Sequence, residues 1–219
     1  MSVAFQEFVD AIQRLPIRVG SVSPAQQDFI RAFLRDHPEI RTILETGFHI
    51  GLSAATFLDV RPDVRVISFD IFWFDYTRRA KLLLDIAYPG RNLLIAGNSI
   101  TSLPTWFSFA SSASAGPDLV FIDGGHERPV PAIDLYHILR ELPAGTWIMV
   151  DDYCDEHGSQ GVMEAVNNCA ARGEIVDVSA YKAADRGWIV GRRGTVAMTP
   201  LPELASLDAL VRDTESHYP

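Results

Sequence analysis

The stretch ILETGFHIGLSAATFL, residues 43–58, carries the strongest signal for the fold. An apolar run ends at Glu45, glycines follow at positions 47 and 51, and a helical pattern then begins. This order predicts a strand, a tight turn and a helix, the unit that opens many nucleotide-binding sheets. The turn lacks the third glycine of a dinucleotide fingerprint and the Gly-Lys-Ser/Thr of a phosphate loop. Because Glu45 would repel a pyrophosphate, the turn favours a cationic or hydroxylated ligand.

Four further apolar runs follow the first, and amphipathic segments separate them. The five runs are TILETG, VRVISFD, NLLIAGN, PDLVFIDGG and TWIMVDD, with helical segments at about 51–60, 75–88, 101–110 and 129–142. Strands that alternate with helices imply right-handed crossovers and a parallel sheet covered on both faces. After a helix at about 160–172, EIVDVSA and RGWIVGRR predict two more strands, joined by YKAADRG. The predicted fold is therefore α/β: a Rossmann-like, doubly wound seven-stranded sheet, mostly parallel, with an antiparallel edge strand.

The 219 residues predict a single domain with additions at both ends. The expected divisions are an N-terminal helical cap over 1–38, a Rossmann-like core over 39–192 and a C-terminal tail over 193–219 that includes a short helix near 203–213. Within the cap, Ser23-Pro24 predicts the start of a helix that runs to about residue 36. The cap could cover an acceptor site or build a homo-oligomer contact, and both alternatives stay open.

Composition argues against several classes of protein. The chain is 47% hydrophobic and 21% charged, as in an ordinary soluble domain, and its apolar runs are far shorter than the roughly 20 residues of a membrane span. A formal net charge of −9 argues against a nucleic-acid partner, because phosphate binding relies on clustered Lys and Arg. Two cysteines make no disulfide framework and the N-terminus lacks a signal pattern, so we expect a cytoplasmic location.

Each of the five predicted parallel strands ends in a polar side chain. These residues are Glu45, Asp70, Asn98, Asp123 and the pair Asp151-Asp152. Any one of them could simply be a turn former, but ligands of an open parallel sheet bind outside the carboxyl ends of its strands. Asp70 is placed where an acid takes ribose hydroxyls, a feature that an NAD site would share. The IFWF segment after it offers aromatic surface to an adenine ring, although the pattern favours a core role for Phe72 and Phe74.

The last three of these acids predict a cation site. Asp123, Asp151 and Asp152 offer hard oxygen ligands, which suit Mg²⁺, whereas zinc would favour histidine and cysteine. A hydroxyl bound to such a cation becomes more acidic. His126 lies three residues after Asp123 and could take that proton, since an unperturbed histidine pKa is about 6.5. The alternative for His126 is a loop histidine that caps the helix beginning near Pro129.

The order of these motifs resembles a known family. E-x-G-x-x-x-G with a second-strand acid is similar to the S-adenosylmethionine (SAM) site of class I methyltransferases. FIDGGH, IMVDDY and GVMEAV resemble motifs of the metal-dependent small-molecule O-methyltransferases, especially the sugar-modifying enzymes of macrolide and related natural-product pathways. The likeness covers about residues 40–192. It implies methyl transfer from SAM to a hydroxyl of a small molecule, a sugar or a glycosylated natural product, which leaves S-adenosylhomocysteine (SAH).

The resemblance also implies a role for each matching residue. Cofactor contacts fall on Glu45, Gly47, Gly51 and Ser53 at the methionine end, Asp70 at the ribose, Asn98 and Ser99 near the adenine, and Asp123. Mg²⁺, or another hard divalent cation, falls on Asp123, Asp151 and Asp152, and the catalytic pair is His126, as general base, with Asp123. Catechol-type relatives more often have Asp-Asn and a lysine, so the Asp-Asp pair and the histidine favour a saccharide or similar aliphatic hydroxyl. An NAD-dependent oxidoreductase and a non-catalytic cofactor-binding module remain the competing hypotheses.

Overall fold

The computed structural model describes residues 1–16, 21–109, 116–154, 159–183, 186–202 and 204. Of residue 110 it describes the backbone alone. The helices are α1 Val3–Ile12, α2 Pro24–Asp36, α3 Leu52–Val60, α4 Asp75–Ala87, α5 Ser99–Ala110, α6 Val130–Glu141 and α7 Gln160–Ala171. The strands are β1 Thr42–Thr46, β2 Arg65–Asp70, β3 Asn92–Ala96, β4 Leu119–Ile122, β5 Trp147–Val150, β6 Ile175–Ala183 and β7 Arg186–Arg193. The tail helix predicted near 203–213 lies outside the described residues except for residue 204.

The seven strands form one sheet in the order β3-β2-β1-β4-β5-β7-β6. The first five strands are parallel, and β7 runs antiparallel to both β5 and β6. The predicted doubly wound fold is confirmed. β6 is longer than expected, because its pairing with β7 continues past residue 180: Tyr181 lies opposite Trp188 and stacks on it, with ring centroids 5.9 Å apart.

Strand residues alternate between two hydrophobic cores, one on each face of the sheet. In β4, Leu119 and Phe121 join the core beneath α1 to α4, whereas Val120 and Ile122 join the core beneath α5 to α7. Side chains of a strand point to opposite faces in turn, so apolar residues at every position of β4 fit a sheet covered on both sides. In the part of the chain that the structure describes, no helix is long and apolar enough to cross a membrane.

The N-terminal helices pack on the α3–α4 face of the sheet. α2 begins with a capping box: the Ser23 hydroxyl accepts from the Gln26 amide, and the Gln26 side chain accepts from the Ser23 amide. Arg31 of α2 lies 3.7 Å from Asp59 of α3 and over the ring of Phe5 in α1. These contacts hold both helices against the core and bring the start of α2 to the carboxyl ends of the strands.

The turn after β1 lies directly against the loop after β4. Gly47 has φ +86°, and a Cβ atom placed on it would lie 1.8 Å from the carbonyl oxygen of Asp123. Only a residue without a side chain permits this approach. The glycine expected to face a ligand therefore also allows two central strands to meet at their ends.

We predict that Gly47→Ala destabilises the protein by about 4 kcal/mol or more, because the new methyl group overlaps the Asp123 carbonyl. Gly145→Ala is the matched control: its φ is +87°, but nothing lies within 4 Å of the added Cβ. That variant should lose only about 1–2 kcal/mol of stability, which is the cost of a left-handed backbone in a residue with a side chain. Urea unfolding of both variants measures the difference, and equal losses would contradict the steric argument.

Candidate active site

Two cavities open at the carboxyl ends of the parallel strands. The larger, about 410 Å³, lies above β1, β2 and β3, and its lining includes Asp70, Trp73, Asn98 and Ser99. The smaller, about 220 Å³, lies between the start of α2, the turn after β1 and the ends of β4 and β5. The two cavities have five lining residues in common. We call these residues the shared wall: Gly47, His49, Asp123, Gly124 and His126.

Asp70, at the end of β2, organises two loops of the larger cavity. Its Oδ2 accepts from the His49 amide and its Oδ1 from the Phe72 amide, both at 2.7 Å. His49 and Phe72 have φ values of 51° and 61°, a region that residues other than glycine seldom adopt. Burial raises the pKa of Asp70, and these amide hydrogen bonds oppose that rise. Asp70 therefore holds both left-handed turns in place while it lines the cavity predicted to take a ribose.

Glu45 lies beneath the site, where it lines neither cavity. Its side chain is 0% exposed and accepts hydrogen bonds from Ser68, its neighbour across β2, at 2.6 Å and from Ser53 of α3 at 2.9 Å. Burial raises the pKa of Glu45 to about 7, although the two hydroxyl groups favour the ionised form. The structure thus ties Glu45 to Ser53, which does line the smaller cavity, and its predicted contact with a cofactor stays a prediction.

Of the remaining predicted cofactor residues, two line the larger cavity and one lies outside both cavities. Asn98 and Ser99 line the larger cavity at the start of α5, where the Asn98 Oδ1 accepts from the Ile100 amide. Gly51, with φ +71°, begins α3 and packs over the Phe48 ring, away from both cavities. Trp73 of the IFWF segment lines the larger cavity with 41% of its surface exposed, so it offers the aromatic face that the sequence predicted there.

Two side chains of the shared wall, Asp123 and His126, converge with Asp152, which lies beside the wall. Ligand atoms of Asp123, His126 and Asp152 all lie within 4.8 Å of one another. His126 Nε2 is 2.7 Å from Asp152 Oδ2 and 4.0 Å from Asp123 Oδ1. The hydrogen bond to Asp152 raises the pKa of His126. The two carboxylates offer hard oxygen ligands to a divalent cation, and the His126 imidazole lies beside them.

The acids of this cluster differ in protonation because their surroundings differ. Burial, reinforced by the charges of Asp151 and Asp152, raises the pKa of Asp123 well above its usual range. Burial would also raise the pKa of Asp152, but the hydrogen bond from His126 and the charge of Arg186 outweigh it, so its pKa lies below the ordinary value. Asp152 is therefore the ionised anchor of the group, and Asp123 holds a charge more easily once a cation is present.

Asp151 is the predicted metal ligand that does not belong to the converging trio. Its Oδ1 accepts from the side chain of Gln26 and from the Asp152 amide. Burial, together with the Asp152 charge, raises the pKa of Asp151 to about 6. Asp151 lines the smaller cavity, and its role as a ligand stays a prediction.

Arg186 is a functional candidate that the sequence analysis missed. Its guanidinium lies 3.4 Å from Asp152 Oδ1 and lines the smaller cavity. It reaches this edge of the sheet because β7 is antiparallel, so β7 begins where β5 ends. The antiparallel assignment of RGWIVGRR contained this signal, since it places the first residue of that strand beside the acids.

Comparisons with known proteins identify the family. A family model described as a methyltransferase domain matches residues 44–153, half of the chain, and includes the turn after β1 and the acids after β4 and β5. The chain belongs to this methyltransferase family. It is a SAM-dependent methyltransferase of class I, as the turn after β1 and the second-strand acid indicated. No curated protein sequence matches it.

Solved structures share the fold of this methyltransferase at low sequence identity. An O-methyltransferase from Bacillus cereus in complex with SAH is 18% identical, with a TM-score of 0.70 over 88% of this chain and 92% of that one. The O-methyltransferase TomG from Streptomyces achromogenes, involved in tomaymycin synthesis and in complex with SAM, is 20% identical, with a TM-score of 0.68 over 89% and 91%. SAH-bound PaMTH1 from Podospora anserina is 19% identical, with a TM-score of 0.68 over 88% of each chain.

We predict that Glu45→Gln becomes progressively more stable than the wild type as pH rises. Because the folded-state pKa of about 7 exceeds the ordinary 4.5, unfolding releases this proton and wild-type stability falls between those values. The stability difference should grow by on the order of 3 kcal/mol from about pH 4 to about pH 8. Thermal unfolding across this range checks it, with exposed Glu7→Gln as the control for charge removal. A difference that does not change with pH would contradict the burial of an uncompensated charge.

Proposed function

We propose that the methyltransferase transfers a methyl group from SAM to a hydroxyl of a small molecule, a sugar or a glycosylated natural product, with Mg²⁺ or another hard divalent cation bound beside that hydroxyl. The observation that carries this proposal is the shared wall. A cavity suited to the cofactor and a cavity suited to an acceptor meet at Asp123 and His126, next to the buried Asp152.

The larger cavity fits SAM. Asp70 offers carboxylate oxygens to ribose hydroxyls, Trp73 offers an aromatic face, and Asn98 adds a polar group at the same edge. The close approach of Gly47 to the Asp123 carbonyl leaves no Cβ atom between the two main chains at the boundary with the smaller cavity. SAM supplies a methyl group on a positively charged sulfur, and the buried acids of the rim favour that charge over the pyrophosphate of NAD. For this reason the oxidoreductase hypothesis is not favoured.

The carboxylates of Asp123 and Asp152, with Asp151 adjacent, fit a divalent cation. Their oxygens converge, they are largely buried, and they repel one another without a counter-charge. A bound divalent cation neutralises that charge and makes a nearby hydroxyl more acidic. Arg186 offsets part of the same negative charge through Asp152.

His126 is suited to remove the acceptor proton. Its Nε2 carries a hydrogen toward Asp152, because the ionised carboxylate can only accept, and this orients the ring. The other ring nitrogen, Nδ1, is then able to take a proton when the ring is neutral. The side chain is 38% exposed in the shared wall, so it can contact a bound molecule. The ionised Asp152 stabilises the imidazolium that results.

The smaller cavity supports a hydroxylated acceptor with an apolar portion. Val22, Phe48, Ile50 and Leu52 form apolar walls, whereas Ser21, Ser53 and the acidic residues present polar groups. The similar fold of TomG, an O-methyltransferase of tomaymycin synthesis, adds support for a natural-product acceptor. Oxygen as the methylated atom and a sugar as the acceptor class both remain part of the proposal.

A panel of sugars, glycosides and phenols with Mg²⁺ tests the proposed function directly. We expect SAH release with at least one hydroxylated acceptor and calorimetric binding of SAH but not of NAD. Binding of SAH without turnover of any acceptor would support the non-catalytic alternative. Tight binding of NAD would overturn the assignment of the larger cavity.

We predict that Asp123→Asn and Asp152→Asn abolish turnover, while the SAH affinity of Asp152→Asn stays close to that of the wild type because Asp152 lines only the smaller cavity. Each variant removes a charged oxygen from the cation site but leaves the Asp70 side of the larger cavity intact. Even the loss of a group that only orients a metal ligand lowers metal affinity or activity by about 10- to 100-fold. Excess chelator should reproduce the loss. Asp85→Asn, on α4 and remote from the rim, is the control. Full wild-type activity in chelator would exclude a role for the metal.

We predict that His126→Ala lowers kcat by about 10²- to 10⁴-fold, the usual contribution of a general base. The acidic limb of the pH–rate profile should disappear with it, since that limb reports protonation of the base. SAH affinity should be unchanged. His37→Ala serves as the control because His37 lies after α2, away from both cavities. A wild-type rate in His126→Ala would remove it from the mechanism.

A further inference from the structure

Gln26 links the N-terminal helices to the acidic cluster. Its side chain is 3% exposed, and its amide nitrogen donates to Asp151 Oδ1 across 125 residues of chain. Its amide oxygen accepts from the Ser23 backbone at 2.8 Å. A carboxylate can only accept and a backbone amide can only donate, so both contacts require the same orientation of the Gln26 side chain.

The contact continues from Asp151 into the backbone of Asp152. The same Oδ1 that receives the Gln26 amide also accepts the Asp152 backbone amide at 2.8 Å. Asp152 has φ +56°, a conformation that costs free energy in a residue with a side chain. This backbone turn directs Oδ2 of Asp152 to His126 and its Oδ1 to Arg186.

We propose that Gln26 is a positioning residue that holds Asp152 in its strained conformation by anchoring Asp151. The role rests on the proposed function, because it matters for catalysis only if Asp152 binds the cation and orients His126. It also gives the N-terminal cap a task beyond covering the core. Ser21 and Val22, just before α2, line the smaller cavity, so one helix start contributes both to the acceptor walls and to the support of the acids.

Two variants of Gln26 remove the donor in different ways. Gln26→Leu keeps most of the volume and deletes both polar atoms. Gln26→Glu keeps the oxygen that accepts from Ser23 but sets a carboxylate against Asp151, and it remains testable if the leucine variant fails to fold. Ser23→Ala is the matched control, since it removes the hydroxyl that caps α2 and leaves the Gln26 donor in place.

Three measurements on the enzyme without acceptor test the proposal: hydrogen exchange, Mn²⁺ affinity and SAH affinity. Hydrogen exchange of a peptide over residues 150–154 reports the conformation of the acidic pair with neither metal nor turnover. Calorimetry with Mn²⁺ reports cation affinity. Both Gln26 variants should show faster exchange and about 10- to 100-fold weaker Mn²⁺ binding, as for other groups that orient metal ligands. Their SAH affinity should be unchanged, and Ser23→Ala should match the wild type in all three measurements despite a lower melting temperature.

The proposal would be overturned if residues 150–154 exchanged hydrogen at the wild-type rate in the Gln26 variants. So would equal effects in Ser23→Ala, because stability of α2 rather than the amide donor would then explain them. The proposed function fails by a different result: no turnover of any acceptor by the wild type, with the exchange difference intact. Absence of Mn²⁺ binding in the wild type likewise counts against the cation, while exchange still decides the role of Gln26.

Discussion

The backbones of two central loops meet where Gly47 lies against the carbonyl of Asp123, and the arrangement of the site depends on that contact. β1 and β4 are neighbours at the point where the chain changes direction across the sheet: β2 and β3 lie on one side, β5, β7 and β6 on the other. Connections diverge at such a point and leave a crevice. Because the two main chains touch without a side chain between them, the cavities on either side share one wall.

The second constraint is that several carboxylates are buried close together. The pKa values of Glu45, Asp123 and Asp151 are all raised by burial, whereas that of the neighbouring Asp152 is lowered by His126 and Arg186. Folding thus places carboxylates where they are costly to ionise. Cationic ligands relieve that cost, so the same electrostatics that limit stability favour a sulfonium and a divalent metal.

The sequence predicted what depends on local pattern. Apolar runs located the parallel strands, and acids at their ends located Asp70 and Asp123 on one rim, since parallel strands share a direction. It could not show that Gln26 reaches Asp151, because no periodicity encodes a hydrogen bond between residues 125 positions apart. Nor could it show that Asp152, and not Asp151, converges with Asp123 and His126. The second aspartate has a left-handed backbone, which aspartate adopts more often than most residues other than glycine, and the sequence does not mark which of two adjacent aspartates takes it.

The shared wall also has a stereochemical consequence. Among the described lining residues, its five residues alone border both cavities. If the proposed function holds, a reacting oxygen and the methyl group would face each other there, and a polyhydroxylated acceptor would present a single oxygen at the end of the smaller cavity. Under the proposed function, regioselectivity follows from how the apolar part of the acceptor fits against Val22 and Phe48, rather than from differences in reactivity among its hydroxyls.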